Sequence, residues 1–325
     1  MIKKILLFLV GIVLITSAFQ SDSIERIEIS NKILSARLIP PLTKDGYYMG
    51  TRFDWAGIIE SLEYKGHNYF GKWFDKYDPI IHDAIMGPVE EYFPLDYDKT
   101  PVGESFVKIG VGLLEKPEEK NFNRFGYYKI TDNGKWKIRK KSDEILFEHT
   151  LSHKGYAYVY TKTITLVEGR PALVISHSLR NTGTLPIKTE MYNHNFFVFD
   201  NKPVGPAYKV IFPYEISGDK NRTGGNLSEL DGKRILFKRN LLNKETVFYD
   251  SLTGFSEDPD DFDIRVENSE TSSGVRITGN RPLSKLIFWA SPTTLCPETY
   301  VNLDIEPGDD FKWDFYYEFY TFDRH

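Results

Sequence analysis

A histidine within an aromatic segment is the first residue whose setting could support proton transfer. His194 lies in the segment 190–197, EMYNHNFF, where an Asn-His-Asn triplet is surrounded by aromatic residues. Polar side chains inside an apolar strand need hydrogen-bond partners, and a ligand rich in hydroxyl groups would supply them. Taken alone, the pattern is explained more simply by a core histidine that bonds to the backbone.

A glutamate in a second apolar segment could complement this histidine. Glu298 lies in the segment 295–300, LCPETY, shortly after the apolar run 286–290. A carboxyl group at a strand end with apolar neighbours tends to have a raised pKa, which suits proton transfer near neutral pH. An ordinary loop glutamate is the alternative, because the chain carries 46 acidic residues.

The other histidines and the single cysteine offer little further chemistry. None of the seven histidines forms an HExxH or other close metal-ligand pair, so we expect no metal site and no cofactor. The acidic run 257–263, EDPDDFD, lacks the ligand spacing and turn glycine of an EF-hand, and we interpret it as a solvated loop. Cys296 has no partner within the chain, which excludes an intrachain disulfide.

Alternation of apolar and polar residues dominates the chain from Ile24 onward, with many β-branched and aromatic side chains. This pattern predicts many short strands and no long helices, as in a β-sandwich or barrel. Residues 106–114, 156–167 and 311–322 are among the predicted strands. The pair Asn133-Gly134 between two such runs predicts a β-hairpin.

The N-terminal residues 1–18 have the composition of a secretory signal peptide. Two lysines precede an apolar run at 5–15, and Thr-Ser-Ala follows at 16–18. The run is shorter than the roughly 20 residues that span a bilayer. We therefore expect an exported protein, periplasmic or secreted, with no stable membrane insertion and one domain over residues 19–325. The net charge of −5 gives no basic footprint for nucleic acid, so we expect no such partner.

Four segments in sequence order give the chain a resemblance to the aldose 1-epimerases, the galactose mutarotase family. The sequence NHNFF at 193–197 resembles the family's Asn-His-x-(Tyr/Phe)-Phe segment, and CPET at 296–299 resembles its later glutamate segment. The turn EPGDDF at 306–311 is similar to the Pro-Gly turn before the family's closing strand. Residues 50–66 are similar to its opening strands.

This resemblance implies a large antiparallel β-sandwich of the galactose mutarotase-like type, a supersandwich. It also implies a sugar mutarotase that interconverts the α and β anomers of an aldose by acid–base ring opening. Glu298 would be the base and His194 the acid, and the substrate would be a monosaccharide or oligosaccharide. Asp250 would bind its hydroxyl groups, and Arg52 offers several fixed donors to a hydroxyl or carboxylate group.

One segment departs from the family's pattern. The His-Gly-Gly that precedes the first family histidine is missing, and IHDAIMGPVEEY at 81–92 stands in its place. His82 is the candidate for that histidine, with Glu90 or Glu91 as alternative substrate ligands. The sugar is left open, and so are two other functions. These are a non-catalytic carbohydrate-binding sandwich and an enzyme related to polysaccharide lyases or glycosidases, for which Arg52 and Lys108 would neutralise a carboxylate.

Overall fold

The structure, a computed structural model, describes residues 24–218 and 226–323. Within these ranges the chain forms β-strands and a single 3₁₀ turn at Pro259–Asp261, with no α-helix. The strands pair antiparallel, so the predicted all-β antiparallel class is confirmed. The predicted signal peptide lies outside the described residues. No helix among the described residues is long and apolar enough to cross a membrane.

The largest sheet has ten strands, and alternation sets which of its side chains are buried. In its strand β11 (Tyr156–Leu166) and the two neighbouring strands, every second residue is buried, as expected for a sheet with one covered face. Its strands, in spatial order, are β15 (Ser228–Asp231), β16 (Arg234–Phe237), β14 (Tyr208–Ile211), β18 (Asp263–Asn268), β19 (Ser273–Gly279), β22 (Asp310–Thr321), β12 (Ala172–Asn181), β11 (Tyr156–Leu166), β10 (Glu144–His153) and β9 (Lys135–Lys140).

A second sheet has five strands and is covered on both faces. In spatial order they are β17 (Val247–Leu252), β20 (Lys285–Ala290), β21 (Leu295–Ile305), β13 (Ile187–His194) and β5 (Val89–Tyr92). Met191 packs into the core shared with the ten-stranded sheet, whereas the next residue, Tyr192, belongs to a separate apolar cluster on the opposite face. On β21, Val301 likewise packs into the core shared with the ten-stranded sheet, and Tyr300 belongs to the cluster on the opposite face. Alternate residues of one strand therefore serve two different environments.

Two smaller sheets and the loops between them cover the outer face of the five-stranded sheet. Phe53 and Phe106 from these segments pack in the same cluster as Tyr192. One small sheet has four strands, β1 (Ile27–Ser30), β2 (Leu34–Ile39), β3 (Ile58–Tyr64) and β4 (His67–Asn68), and the other has three, β6 (Ser105–Lys108), β7 (Gly112–Glu115) and β8 (Ile130–Asp132).

Two local predictions are wrong. Residues 106–114 form the hairpin of β6 and β7 and not one strand. Gly110 turns the chain with φ of +74°, where a Cβ atom would lie 2.5 Å from Oδ1 of Asp54, so only glycine fits. Asn133-Gly134 does not close a hairpin, because β8 pairs with β7 while β9 pairs with β10 in the other sheet. The turn connects two sheets.

Candidate active site

The register between β13 and β21 brings His194 and Glu298 together. The two residues are direct cross-strand partners, so their side chains leave the sheet on the same face. Nε2 of His194 lies 3.5 Å from Oε1 of Glu298. The face is the one turned away from the ten-stranded sheet, which leaves the pair accessible from a cavity and not sealed in the core between the sheets.

This cavity has a volume of about 160 Å³. The histidine and the glutamate both line it, with side chains that are 4% and 7% exposed. Its lining combines charged and aromatic groups: Arg52, Asp83, Arg124, Phe125, His194, Phe196, Phe248, Ile287, Trp289 and Glu298. Polar groups that converge on a pocket with aromatic walls are typical of sites that bind small molecules.

Stacked aromatic rings hold the His194 imidazole in place. The Phe196 ring lies parallel to it with centroids 3.8 Å apart, and the Trp73 ring stacks on the other side of Phe196. Phe53 meets the imidazole edge-on at 5.6 Å. Phe196 has a φ of +43°, a conformation that costs energy for a bulky residue and is found where a site requires it. The strained residue is thus the one that orients the imidazole.

Two arginines form the polar wall of the cavity. Arg52 is almost fully buried and donates from Nε to Glu91, from Nη1 to Asp83 and from Nη2 to the Tyr192 hydroxyl. Arg124 donates from Nε to the same glutamate at 3.3 Å. Because Arg52 donates from all three nitrogens, its guanidinium group is fixed before any ligand arrives, and Glu91 anchors the guanidinium group of Arg124.

Burial and these arginines set the protonation of the pair. Burial raises the pKa of Glu298 to about 7, and Arg52 and Arg124 only partly oppose this effect. Burial lowers the pKa of His194 well below 6.5, and the same two arginines lower it further. In the free protein at a pH between these two pKa values, the proton of the pair therefore rests on the carboxyl group and the imidazole is neutral.

A pair that carries one proton can act as an acid and a base at once. One member donates a proton to a ligand while the other accepts one, and neither step calls for a metal. In the described part of the chain no cluster of three or more His, Cys, Asp or Glu side chains is placed to hold a metal ion.

The structure brings some of the predicted site residues to the cavity and separates others. Arg52 lines it, and Glu91 lies fully buried beneath it as the partner of the arginines. His82 is beside it, with Nδ1 2.9 Å from the cavity residue Asp83. Asp250 is half-buried on β17, two residues beyond Phe248, and does not line the cavity.

Glu90 lies on the opposite face of the sheet from the cavity. It is fully buried in the core between the sheets, where Lys162 donates to it and Nε2 of His177 lies 3.2 Å away. Asn193 donates to it at 3.1 Å. This position corrects the prediction that Glu90 contacts substrate, because alternation along β5 points its side chain away from the cavity.

Sequence reasoning missed several lining residues. Asp83 and Arg124 lie in irregular segments with no periodic pattern, so no sequence signal placed them. Ile287 and Trp289 lie in a predicted strand, but alternation shows only that they share a face and not which face meets a ligand. Phe248 on β17 had the same ambiguity.

A polar clamp behind the sheet fixes the strand ends that carry the pair. The hydroxyl of Tyr317 on β22 lies 3.1 Å from Oδ1 of Asn193 and 2.9 Å from Oδ1 of Asn195. Asn195 donates to the carbonyl of Pro297 at 2.7 Å, directly before Glu298. The residues that flank His194 are thereby tied to the ten-stranded sheet and to the strand of the glutamate.

The fold is that of the galactose mutarotase-like β-sandwiches. No family model matches the chain, and no curated protein matches it. A solved aldose epimerase homologue from C. elegans matches with a TM-score of 0.56 and 14% identity, over 93% of this chain and 100% of that one.

Two solved bacterial structures give the same result. A galactose mutarotase related enzyme from Lactobacillus acidophilus has a TM-score of 0.54 and 11% identity, over 92% of this chain and 99% of that one. A galactose mutarotase-like protein from Lactobacillus casei has a TM-score of 0.52 and 11% identity, over 91% and 100%. The resemblance and the fold predicted from the sequence are thus confirmed, and identities this low establish the fold alone.

Proposed function

We propose that the protein is a sugar mutarotase that interconverts the α and β anomers of an aldose. The observation that carries the proposal is the 3.5 Å approach of His194 Nε2 to Glu298 Oε1 in a cavity that both residues line. The fold shared with mutarotase-like proteins supports it.

The geometry of an anomeric carbon fits this pair. Ring opening removes the proton from the C1 hydroxyl and adds a proton to the ring oxygen. These two oxygens are bonded to the same carbon, so an acid and a base that act on them must themselves lie close together. A pair that straddled the whole sugar ring would be too far apart, whereas His194 and Glu298 are neighbours across two strands.

One proton on the pair is sufficient for a complete cycle. In the free protein the protonated Glu298 would donate to the ring oxygen while neutral His194 accepts from the C1 hydroxyl. The pair then holds its proton on the imidazole, the C1–C2 bond rotates, and the ring closes on the other face. When the ring closes, the roles reverse: the protonated His194 acts as the acid and the ionised Glu298 as the base. A cycle that starts with the proton on His194 therefore uses the roles that the family resemblance implies.

The test follows anomer interconversion by proton NMR on freshly dissolved α anomers of neutral and acidic aldoses. We expect the protein to shorten the time to anomeric equilibrium for at least one sugar, and Asp250→Asn to retain this activity because Asp250 does not line the cavity. Sugar binding without faster interconversion would replace the proposal with the non-catalytic alternative.

Export is a separate part of the proposal. It depends on the lysines and the apolar run within residues 1–18, which lie outside the described residues. N-terminal sequencing of the protein recovered from outside the cytoplasm should begin at residue 19. A cytoplasmic protein that starts at Met1 would contradict export without affecting the catalytic proposal.

A further inference from the structure

The cavity has a polar end and an apolar end. Arg52 and Arg124 contact Glu91 on β5, and Arg52 also contacts Tyr192 on β13. The opposite end is lined by Ile287 and Trp289 on β20 and by Phe248 on β17. These lie at the other side of the sheet order β17-β20-β21-β13-β5, and neighbouring strands are about 4.8 Å apart.

The catalytic pair lies between these ends, on β13 and β21. If C1 of an aldopyranose sits at the pair, C2 extends to one side and the ring oxygen and C5 extend to the other. The carbons C2 to C4 carry hydroxyl groups, whereas C5 carries one substituent that differs between classes of sugar. The chemistry of the two ends therefore decides which substituent at C5 the site accepts.

The polar end is built for hydroxyl groups. It presents N–H donors from two arginines and, beside them, the carboxylate of Asp83 as an acceptor. A hydroxyl group can donate and accept, so it matches both. Nε and both terminal nitrogens of Arg52 already bond to protein groups, so this arginine offers single remaining N–H donors, which suit a hydroxyl group better than a carboxylate or phosphate. Asp83 would also repel such an anion.

The apolar end offers little to a polar substituent. Phe248 and Ile287 carry no polar side-chain atom, and Trp289 carries one indole N–H. A hydroxymethyl group placed there would bury a hydroxyl with at most one partner, and an ionised carboxylate would fare worse. A methyl group or a hydrogen atom forms no hydrogen bonds, so burying it at this end carries no such cost.

Building on the mutarotase function, we propose that the substrate is an aldopyranose without a polar substituent at C5, either a 6-deoxyhexose or a pentopyranose. Its hydroxyl-bearing edge faces Arg52, Arg124 and Asp83. Its C5 side faces Phe248, Ile287 and Trp289.

A series of sugars with one ring configuration tests this directly. D-Galacturonate, D-galactose, D-fucose and L-arabinose share their ring stereochemistry and carry carboxylate, hydroxymethyl, methyl and hydrogen at C5. Glucuronate, glucose, 6-deoxyglucose and xylose form the matching gluco series. One of the two series should contain substrates of the protein. In that series we expect kcat/KM for the methyl or hydrogen member to exceed that for the hydroxymethyl member by about 10- to 100-fold, the range for a hydroxyl group placed in an apolar pocket.

Higher kcat/KM for the hydroxymethyl or carboxylate member would overturn this inference and leave the mutarotase function standing. Absence of catalysed interconversion in both series would overturn the function itself, and the inference with it. The variants Ile287→Asn and Trp289→Phe supply a second test. Ile287→Asn should narrow the preference for the methyl sugar by adding a hydrogen-bonding group, whereas Trp289→Phe should keep it, and the reverse pattern would contradict the assignment of the apolar end.

Discussion

Glu90 and Glu91 are consecutive residues of β5, yet their carboxylates lie on opposite faces of the five-stranded sheet. Burial alone would raise the pKa of each, but nearby cations reverse this. Lys162 and His177 lower the pKa of Glu90 to about 2 in the core between the sheets. Lys108 and the two cavity arginines lower the pKa of Glu91 to about 2 beneath the candidate site. These two consecutive residues thus anchor two buried ionic clusters, one in the core between the sheets and one beneath the candidate site.

The variants Glu91→Gln and Glu90→Gln form a matched pair. Each should lower the free energy of unfolding by about 3–5 kcal/mol, because each leaves buried cations without their anion. Burial is the largest cause of the raised pKa of Glu298, and of these two glutamates it is Glu91 that adds to it. We therefore expect Glu91→Gln to move the alkaline limb of the kcat/KM profile to lower pH, and Glu90→Gln to leave it in place. Denaturant titration and pH profiles measure both effects, and equal displacement of the limb in the two variants would refute the assignment.

The value of kcat/KM should fall as the pH rises above about 7. Glu298 has a pKa raised to about 7 and His194 a pKa lowered well below 6.5, so the pair holds one proton between these values and none above them. Without that proton the pair has no acid, and the rate declines. Initial rates of interconversion across neutral pH check this. A rate that keeps rising through pH 7 would mean that the proton donor lies elsewhere.

Glu298 should make the protein less stable as pH rises. Its pKa in the folded state, about 7, exceeds its ordinary value of 4.5, so between these pH values the folded state holds a proton that the unfolded state has lost. Stability therefore falls over this range, by about 3 kcal/mol for this one group. The unfolding free energies of wild type and Glu298→Gln should be measured at pH 5 and pH 8. Between these pH values, wild type should lose about this much more stability than Glu298→Gln. A constant difference would contradict the raised pKa.

Tyr317 is a positioning residue and not a catalytic one, because it reaches the flanking asparagines from behind the sheet. Tyr317→Phe should leave the Oδ1 atoms of Asn193 and Asn195 short of a donor at a cost of about 1–3 kcal/mol. We expect kcat to fall while KM changes little. The control Tyr320→Phe, on the same strand, removes only a bond to Glu267 away from the cavity. Equal kinetics for the two variants would reduce Tyr317 to a stabilising role.

The sequence contained enough to predict the fold and the central pair. The strand at 156–167 and the closing strand are seen within one residue of their predicted ends. His194 and Glu298 each stand out as a polar residue in an apolar context, but the family resemblance was needed to favour them over a core histidine and a loop glutamate. Lys162 is also a polar residue in an apolar context, because it alternates with Tyr160 and Ile164 on the buried face of β11. A buried lysine at this position indicates a buried acidic partner on the facing sheet.

Other parts of the site depend on tertiary contacts that no local pattern encodes. Arg124 reaches Glu91 from an irregular segment, and the two meet only because β5 lies at the edge of the five-stranded sheet. Glu90 and Glu91 could not be told apart before the face of β5 was known. A shift of one residue in register would exchange their environments.

The most direct test of the account compares the first-order rate constant for anomer equilibration in wild type, Glu298→Gln and Glu306→Gln at pH 7. Glu306 lies in the exposed turn after β21 and serves as the matched control. We predict that Glu298→Gln lowers the catalysed rate constant by about 10²–10⁴-fold, the contribution of one acid–base group, while Glu306→Gln leaves it unchanged. A Glu298→Gln protein that equilibrates the anomers as fast as wild type would contradict the account.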